Sequence, residues 1–320
     1  MVGPIRNPLA LPLARILARS PIRHVAVLGG EPTLCLNLLS CLRVLLDAGM
    51  FVELITNGVG VTDAMCSLFC SAGPMVRVKV SLDSADGARN DALRGDGAFA
   101  AAAQACQRLR SFSVPFRIQS VLVDENSHDI AATYDLACSL GAYSYGFAVA
   151  QPIGRGARLR AQALDNDALA QVACIVGYQG ATRTRLEKFD LGWDTVKEVA
   201  GAESRRDPTD PREADILSMV KCNALRSRVH VASNGDVFPC DFLTERRYLC
   251  GNLLTDGLMS AWQSHDVWSQ VRALRRSRKP VCASCPFTSC TTGCAAILRS
   301  HQRHHPNVQA FCEIGAAGHA

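Results

Sequence analysis

Between residues 24 and 149, short β-branched and aromatic runs alternate with longer stretches whose apolar residues recur every three or four positions. The short runs at 24–28, 51–55, 77–82, 116–123 and 143–149 predict strands. The stretches at 38–48, 62–70, 98–112 and 129–140 predict amphipathic helices. This alternation predicts βαβ units and a parallel sheet, open or rolled into a barrel. In such folds the chemistry gathers at the carboxyl ends of the strands. Those ends carry Gly29-Gly30-Glu31-Pro32, Thr56-Asn57-Gly58, Ser81-Leu82-Asp83, and Gln151-Pro152 leading to Gly154-Arg155-Gly156.

A helical stretch at 165–177 follows, and then a polar section at 183–211 that includes Arg205-Arg206-Asp207-Pro208 and Asp210-Pro211. The expected organisation is an α/β domain over 1–155, its last helix and a linker over 156–218, and a smaller domain over 219–320. No internal repeat stands out, and the basic run at 272–279 reads as a solvated helix face.

Composition narrows the class without naming it. A hydrophobic content of 48% with 20% charged residues is ordinary for a globular protein. The net charge of +5 gives no reason to expect a nucleic-acid partner. No apolar run approaches the ~20 residues that span a bilayer. Pro4, Pro8, Pro12 and Arg15 interrupt the start, which makes a poor signal peptide. A cytoplasmic protein without a membrane partner is the expectation.

The cysteines change the picture. Of fifteen, seven lie singly over residues 1–221 and eight crowd into the last 99. In a reducing compartment they point to metal or catalysis rather than disulfides. Cys66 and Cys70, four apart on a predicted helix, read as packing residues, as do Cys35, Cys41, Cys106, Cys138 and Cys174. The later set is different. Cys222 is followed by twelve residues, Gly235, four residues and Cys240. Asn234-Gly235 predicts a tight hairpin turn that brings the flanking strands together. Then come Cys282, Cys285, Cys290 and Cys294 in a C-x2-C-x4-C-x3-C run, and finally Cys312. Closely spaced thiolates on turns serve zinc or iron–sulfur clusters, and spacing alone does not choose between them.

This constellation resembles the SPASM domain, the auxiliary-cluster module of radical S-adenosylmethionine enzymes. The family's run has five residues between its second and third cysteines where this chain has four. Gly251-Asn252-Leu253, with Trp262 downstream, is similar to the segment joining the module's halves. The resemblance implies one [4Fe–4S] cluster on Cys282, Cys285, Cys290 and Cys312, and a second on Cys222, Cys240 and Cys294. Cys250 is a candidate for the second cluster's fourth ligand; an open iron site is the alternative.

The first half is similar to the same family. Gly29-Gly30-Glu31-Pro32 after a strand resembles the motif that grips the methionine end of S-adenosylmethionine. Glycines let the backbone approach, and a carboxylate accepts hydrogen bonds from an ammonium. Ser81-Leu82-Asp83, Arg94-Gly95 and Gly97-Ala98-Phe99 look like the family's fourth strand and following loop, where a serine and an arginine contact the cofactor. Gln119 and Asn126 fit the fifth strand and its exit. The implied cofactor contacts are Gly29, Gly30, Glu31, Pro32, Asn57, Ser81, Asp83, Arg94 and Gln119. Without the resemblance, residues 29–32 read as a structural turn and Asp83 as a helix cap.

The family's C-x3-C-x2-C loop, which holds the cluster that reduces the cofactor, is not among these 320 residues. The fold expected is therefore α/β, a partial (β/α)6 TIM-like barrel lacking its first strand, followed by a small cysteine-rich SPASM domain. A truncated piece, a late start site and a decayed gene are the three explanations, and the chain as it stands is expected to be inactive.

The function the resemblance implies is a maturase that oxidises or crosslinks a residue of a peptide or protein, with electrons from a flavodoxin or ferredoxin. Phe238-Pro239-Cys240-Asp241-Phe242 is similar to anaerobic sulfatase-maturating enzymes, in which an aspartate after the cysteine takes a proton from the substrate. Asp241 matches that position; the alternative is an ordinary loop aspartate. Two other functions stand beside it. One is a non-catalytic iron–sulfur or zinc-binding protein. The other is a cofactor-building enzyme like the SPASM member of the pyrroloquinoline quinone pathway.

Overall fold

The computed structural model describes residues 4–150, 185–188, 224–225 and 227–276. The expectations for 151–177, for Cys174 and Cys222, and for Cys282, Cys285, Cys290, Cys294 and Cys312 lie outside the described residues. The chain divides into two units, Met1–Val149 with Leu164–Ala202, and Ala150–Ala163 with Glu203–Ala320. No helix among the described residues is long and apolar enough to cross a membrane.

In the first unit, strands β1 (His24–Val27), β2 (Phe51–Thr56), β3 (Val76–Ser81), β4 (Phe116–Leu122), β5 (Ser144–Val149) and β6 (Arg185–Lys188) form one sheet in sequential order. Every neighbouring pair is parallel. The helices are α1 (Ala10–Ala18), α2 (Leu38–Asp47), α3 (Asp63–Ala72), α4 (Gly87–Arg94), α5 (Ala98–Ser111) and α6 (Ile130–Leu140). Two elements correct the sequence reading. β6 falls in the stretch assigned to a helix and linker; its four residues, RLEK, are too short and polar to signal a strand. α4 was not expected because it has no apolar stripe, and its cap is Asp86, whose side chain accepts from the Arg89 N–H at 2.9 Å. Asp83 is not that cap.

Side chains alternate across the strands. Val52, Leu54, Val78, Val80, Phe116, Ile118, Tyr145 and Phe147 are buried with Leu42, Phe69, Cys106 and Leu109 in a single core. The intervening positions are polar: Glu53, Lys79 and Arg117 are 7%, 9% and 1% exposed. Lys79 Nζ lies 2.9 Å from a Glu53 oxygen. Burial pushes the Lys79 ammonium below its usual value, and Glu53 pulls the other way. Parallel strands with both faces in apolar layers read as continuous hydrophobic runs. Here one face packs under helices and the other is lined with polar groups, which explains why the strands were legible as alternation.

The second unit holds a three-stranded antiparallel sheet of β7 (His230–Val231), β8 (Asp236–Phe238) and β9 (Gly251–Asn252). The turn expected at Asn234-Gly235 is present. Gly235 has φ +92°, a conformation that favours glycine, and Asn234 Oδ1 accepts from the Asp236 N–H at 3.1 Å. Asn252 Nδ2 pins the turn by donating to Asn234 O at 3.1 Å and Asp236 Oδ1 at 2.9 Å. Helices α7 (Gly257–Trp262) and α8 (His265–Arg276) follow. Leu225, Phe238, Leu243, Tyr248, Val267 and Val271 supply most of a small core.

Candidate functional site

β1 exits into Gly29-Gly30 and a single 3-10 turn, Pro32–Leu34. A Cβ placed on Gly29 or Gly30 meets no atom within 4 Å, so both glycines border open space that a ligand can enter. Glu31 caps the 3-10 turn, accepting from the Thr33 N–H at 2.9 Å, and Pro32 stands at its first position, where a missing N–H costs nothing. The Glu31 carboxylate also accepts from the hydroxyls of Thr33 and Thr56 and from the Asn57 N–H, the last at 2.7 Å. Thr56 was read at this strand end without a role, and Thr33 was not singled out from the sequence.

Asn57 Oδ1 accepts from the Val59 N–H at 3.0 Å, shaping the loop after β2. Gly58 has φ +92°, and a Cβ there would sit 2.8 Å from Ala105 Cβ and 2.9 Å from Ala101 O on α5. A left-handed conformation costs an ordinary residue about 1–2 kcal/mol, and contacts under 3 Å must displace helix backbone besides. Gly58→Ala is expected to destabilise this unit by about 2 kcal/mol or more, read as a lower urea midpoint with an unchanged slope.

At the exits of β3 and β4 two of the expected cofactor ligands bind each other. Arg94 Nη2 donates to Asp83 Oδ1 at 2.8 Å, and Arg94 Nε lies 2.7 Å from Asp83 Oδ2. Asp83 Oδ1 also accepts from the Val121 N–H at 2.7 Å, and Asn90 Oδ1 from the Asp83 N–H at 2.9 Å. Asn126, fully buried, donates to Asp83 O at 2.8 Å and accepts from the Val123 N–H at 2.8 Å. These residues lock β3, α4 and β4 together. Ser81 and Gln119 are directly paired in the β3–β4 register on the polar face. Both are half-buried, and Arg117 Nη2 donates to Gln119 Oε1 at 3.0 Å. Open glycines at the exit of β1 and the polar side chains of Asn57, Ser81 and Gln119 stand at the same end of the sheet and suit a polar ligand.

The described cysteines of the first unit stand apart from one another or in the core. Cys41, Cys66 and Cys106 are buried in the core, as expected. Burial pushes the Cys41 and Cys66 thiols up to about 11 and Cys106 to about 12. Cys35 and Cys138 are half-buried against the same core. Cys70 corrects the packing reading: it is exposed, because the buried face of α3 centres on Met65, Cys66 and Phe69, and each further residue turns the helix by about 100°. Among the described residues no three histidine, cysteine or acidic side chains are grouped to hold a metal.

In the second unit the hairpin carries Cys240 just beyond β8, and Cys250 just before β9. Both pack against the small core. The Cys250 N–H donates to Val237 O at 2.8 Å, and burial pushes its thiol up to about 11. Asp241 follows Cys240, with Arg228 Nη2 3.6 Å from its Oδ1 in a partly exposed pair. Such pairs are worth about 0–1 kcal/mol. Burial pushes the His230 imidazole below its ordinary value, while Asp241 pulls it upward. Two soft thiol donors at the ends of one hairpin, with five or more cysteines elsewhere in the sequence of this unit, suit an iron–sulfur centre.

Comparison with known proteins agrees with both halves. Residues 10–137 match the radical SAM superfamily, and residues 222–286 match the SPASM iron–sulfur cluster-binding domain. Mycofactocin maturase MftC of Mycobacterium ulcerans is 29% identical over 287 residues, covering 88% of this chain and 72% of that protein. AdoMet-dependent heme synthase of Methanosarcina barkeri is 26% identical over 274 residues, covering 84% and 76%. The fold is that of SuiB of Streptococcus suis bound to S-adenosylmethionine, with a TM-score of 0.68 and 18% identity over 92% of this chain and 67% of that one. It is equally that of anSMEcpe with bound AdoMet, with a TM-score of 0.68 and 14% identity over 97% and 86%. Open glycines at the exit of β1, a sequential parallel sheet and a cysteine-bearing hairpin thus accompany both matches: residues 10–137 belong to the radical SAM superfamily, and residues 222–286 to the SPASM iron–sulfur cluster-binding domain.

Proposed function

We propose that the chain is a maturase-type protein whose reaction oxidises or crosslinks a residue of a peptide or protein. The observation that carries this reading is the hairpin that sets Asp241 directly after Cys240, in a SPASM domain that follows a radical SAM sheet. Two auxiliary [4Fe–4S] clusters would be held by Cys282, Cys285, Cys290 and Cys312, and by Cys222, Cys240 and Cys294. Cys250, half-buried just before β9, is the candidate for an eighth ligand. Gly29, Gly30, Pro32, Asn57, Ser81 and Gln119 would border the cofactor, with Asp83 and Arg94 bracing them. S-adenosylmethionine, bound to a reduced cluster, would supply the chemistry that removes a hydrogen atom from a substrate C–H bond. Asp241 would accept the proton the substrate then gives up, the remaining electron would pass to an auxiliary cluster, and a flavodoxin- or ferredoxin-type protein would exchange electrons with the chain.

Anaerobic reconstitution tests the reading. It is expected to give two clusters, about eight iron and eight sulfide per chain, the content of two [4Fe–4S] centres. Cys282→Ala is expected to lose one cluster and Cys222→Ala to affect chiefly the other. Tightly held zinc without sulfide would sink the assignment, and equal loss in both variants would refute the partition of ligands.

The relatives favour a second reading. Mycofactocin maturase and heme synthase both build cofactors, which supports a cofactor-biosynthesis role for this chain on the same architecture. The cysteines of the first unit support a third, a non-catalytic iron–sulfur protein. Release of 5′-deoxyadenosine under strong reductant separates that one from both enzymes.

A further inference from the structure

We propose that Glu31 is a positioning residue, a latch that ties the loop leaving β1 to the loop leaving β2 and orients the amides of Asn57, Gly58 and Gly60. The proposal rests on reading these strand exits as the cofactor site, and it changes the role of the acidic residue there. An ionised carboxylate offers about four acceptor positions. The Thr33 N–H and the Thr33 and Thr56 hydroxyls all donate to Oε1, and the Asn57 N–H donates to Oε2. Each hydroxyl has one proton and gives it to Glu31, so each is left as an acceptor. Thr56 Oγ1 accepts from the Gly58 N–H at 2.9 Å, and Thr33 Oγ1 from the Gly60 N–H at 3.1 Å.

Two relays of amide, hydroxyl and carboxylate therefore converge on one side chain from residues 25 to 29 positions away in sequence. The remaining loop amide, that of Val59, is held by Asn57. The two loops also press together, since a Cβ on Gly60 would lie 2.8 Å from Thr33 O. Oε1, with three donors, has no room for a further one, so a ligand ammonium could reach Glu31 only at Oε2, beside the Asn57 N–H. Glu31 acts by holding the two loops in shape.

The test uses the full chain with Glu31→Gln, Thr56→Val and Thr56→Ser. Amide hydrogen exchange is read at Asn57 and Gly58. Equilibrium titrations use S-adenosylmethionine and 5′-methylthioadenosine, which lacks the aminoacyl end. A latch predicts that Glu31→Gln and Thr56→Val each speed exchange by about tenfold or more, the equivalent of one charged hydrogen bond. Both variants should weaken the two nucleosides alike, and Thr56→Ser, which keeps the hydroxyl, should behave as the unaltered chain. If Glu31→Gln weakens S-adenosylmethionine alone while Thr56→Val changes nothing, Glu31 serves the ammonium and the latch is overturned. If the unaltered chain binds neither nucleoside, the reading of the cofactor site fails and exchange decides the latch by itself. Tenfold faster exchange in both variants then sustains it, and unchanged exchange refutes it.

Discussion

Stripping iron from the reconstituted chain is expected to unfold the hairpin of the second unit and leave the parallel sheet of the first intact. The two sheets differ in what holds them. The first rests on a core of some thirty buried residues under six helices. The second has strands of two and three residues and a core of seven buried side chains among the described residues. Sheets that small are marginal without a further staple. Metal binding supplies one: structural zinc sites in small peptides contribute about 10–16 kcal/mol, and that binding energy is folding energy. Hydrogen exchange before and after chelation reads the outcome at the amides of Ala232, Cys250 and Leu253, which bond to Asp236 O, Val237 O and Gly235 O at 2.8, 2.8 and 2.7 Å. Their protection is expected to fall to that of an unfolded segment. Full protection without iron would mean that the hairpin stands on its own packing.

Replacing Asp241 with asparagine in protein that turns over substrate is expected to slow product formation by about 10²–10⁴-fold, the usual reach of general base catalysis. The substitution keeps size and removes the proton acceptor. Cofactor cleavage without substrate should change far less, because no proton leaves a substrate in that step. Two neighbours make controls necessary. Arg228 stands 3.6 Å from the carboxylate, so Arg228→Ala separates loss of the ion pair from loss of the base. Cys240 adjoins it in sequence, so iron must be counted in the same preparation. Full iron content with undiminished turnover would make Asp241 an ordinary loop residue.

Much of the first unit was legible because its strands alternate. The runs read at 51–55 and 116–123 differ by one residue at one end from Phe51–Thr56 and Phe116–Leu122. The helix at 98–112 likewise ends one residue earlier, at Ser111. What escaped was polar or short. α4 has no apolar face because its work is polar: Asn90 and Arg94 reach back to Asp83, and Asp91 accepts from the N–H groups of Gly97 and Phe99 at the start of α5. Those two N–H groups hold the Asp91 carboxyl below its usual range. The site was legible by residue type but not by the partners those residues have within the protein. Glu31, Asp83 and Arg94 stand at the strand exits as expected, yet each is engaged within the protein. Sequence names a carboxylate at a loop; it does not say which N–H groups and hydroxyls the fold will turn toward it.

The buried thiols of the first unit also decide how this protein meets alkylating reagents and air. A thiol pushed up to about 11, as in Cys41 and Cys66, is on the order of a hundredfold less ionised at neutral pH than an ordinary one, and the thiolate is the reacting species. Cys106, pushed up to about 12, is more inert still. Brief labelling of native protein therefore passes over these three thiols and, among the described cysteines, falls first on exposed Cys70. Mass added beyond that of the cluster-loaded protein then serves as a gauge of thiols that a lost cluster uncovers.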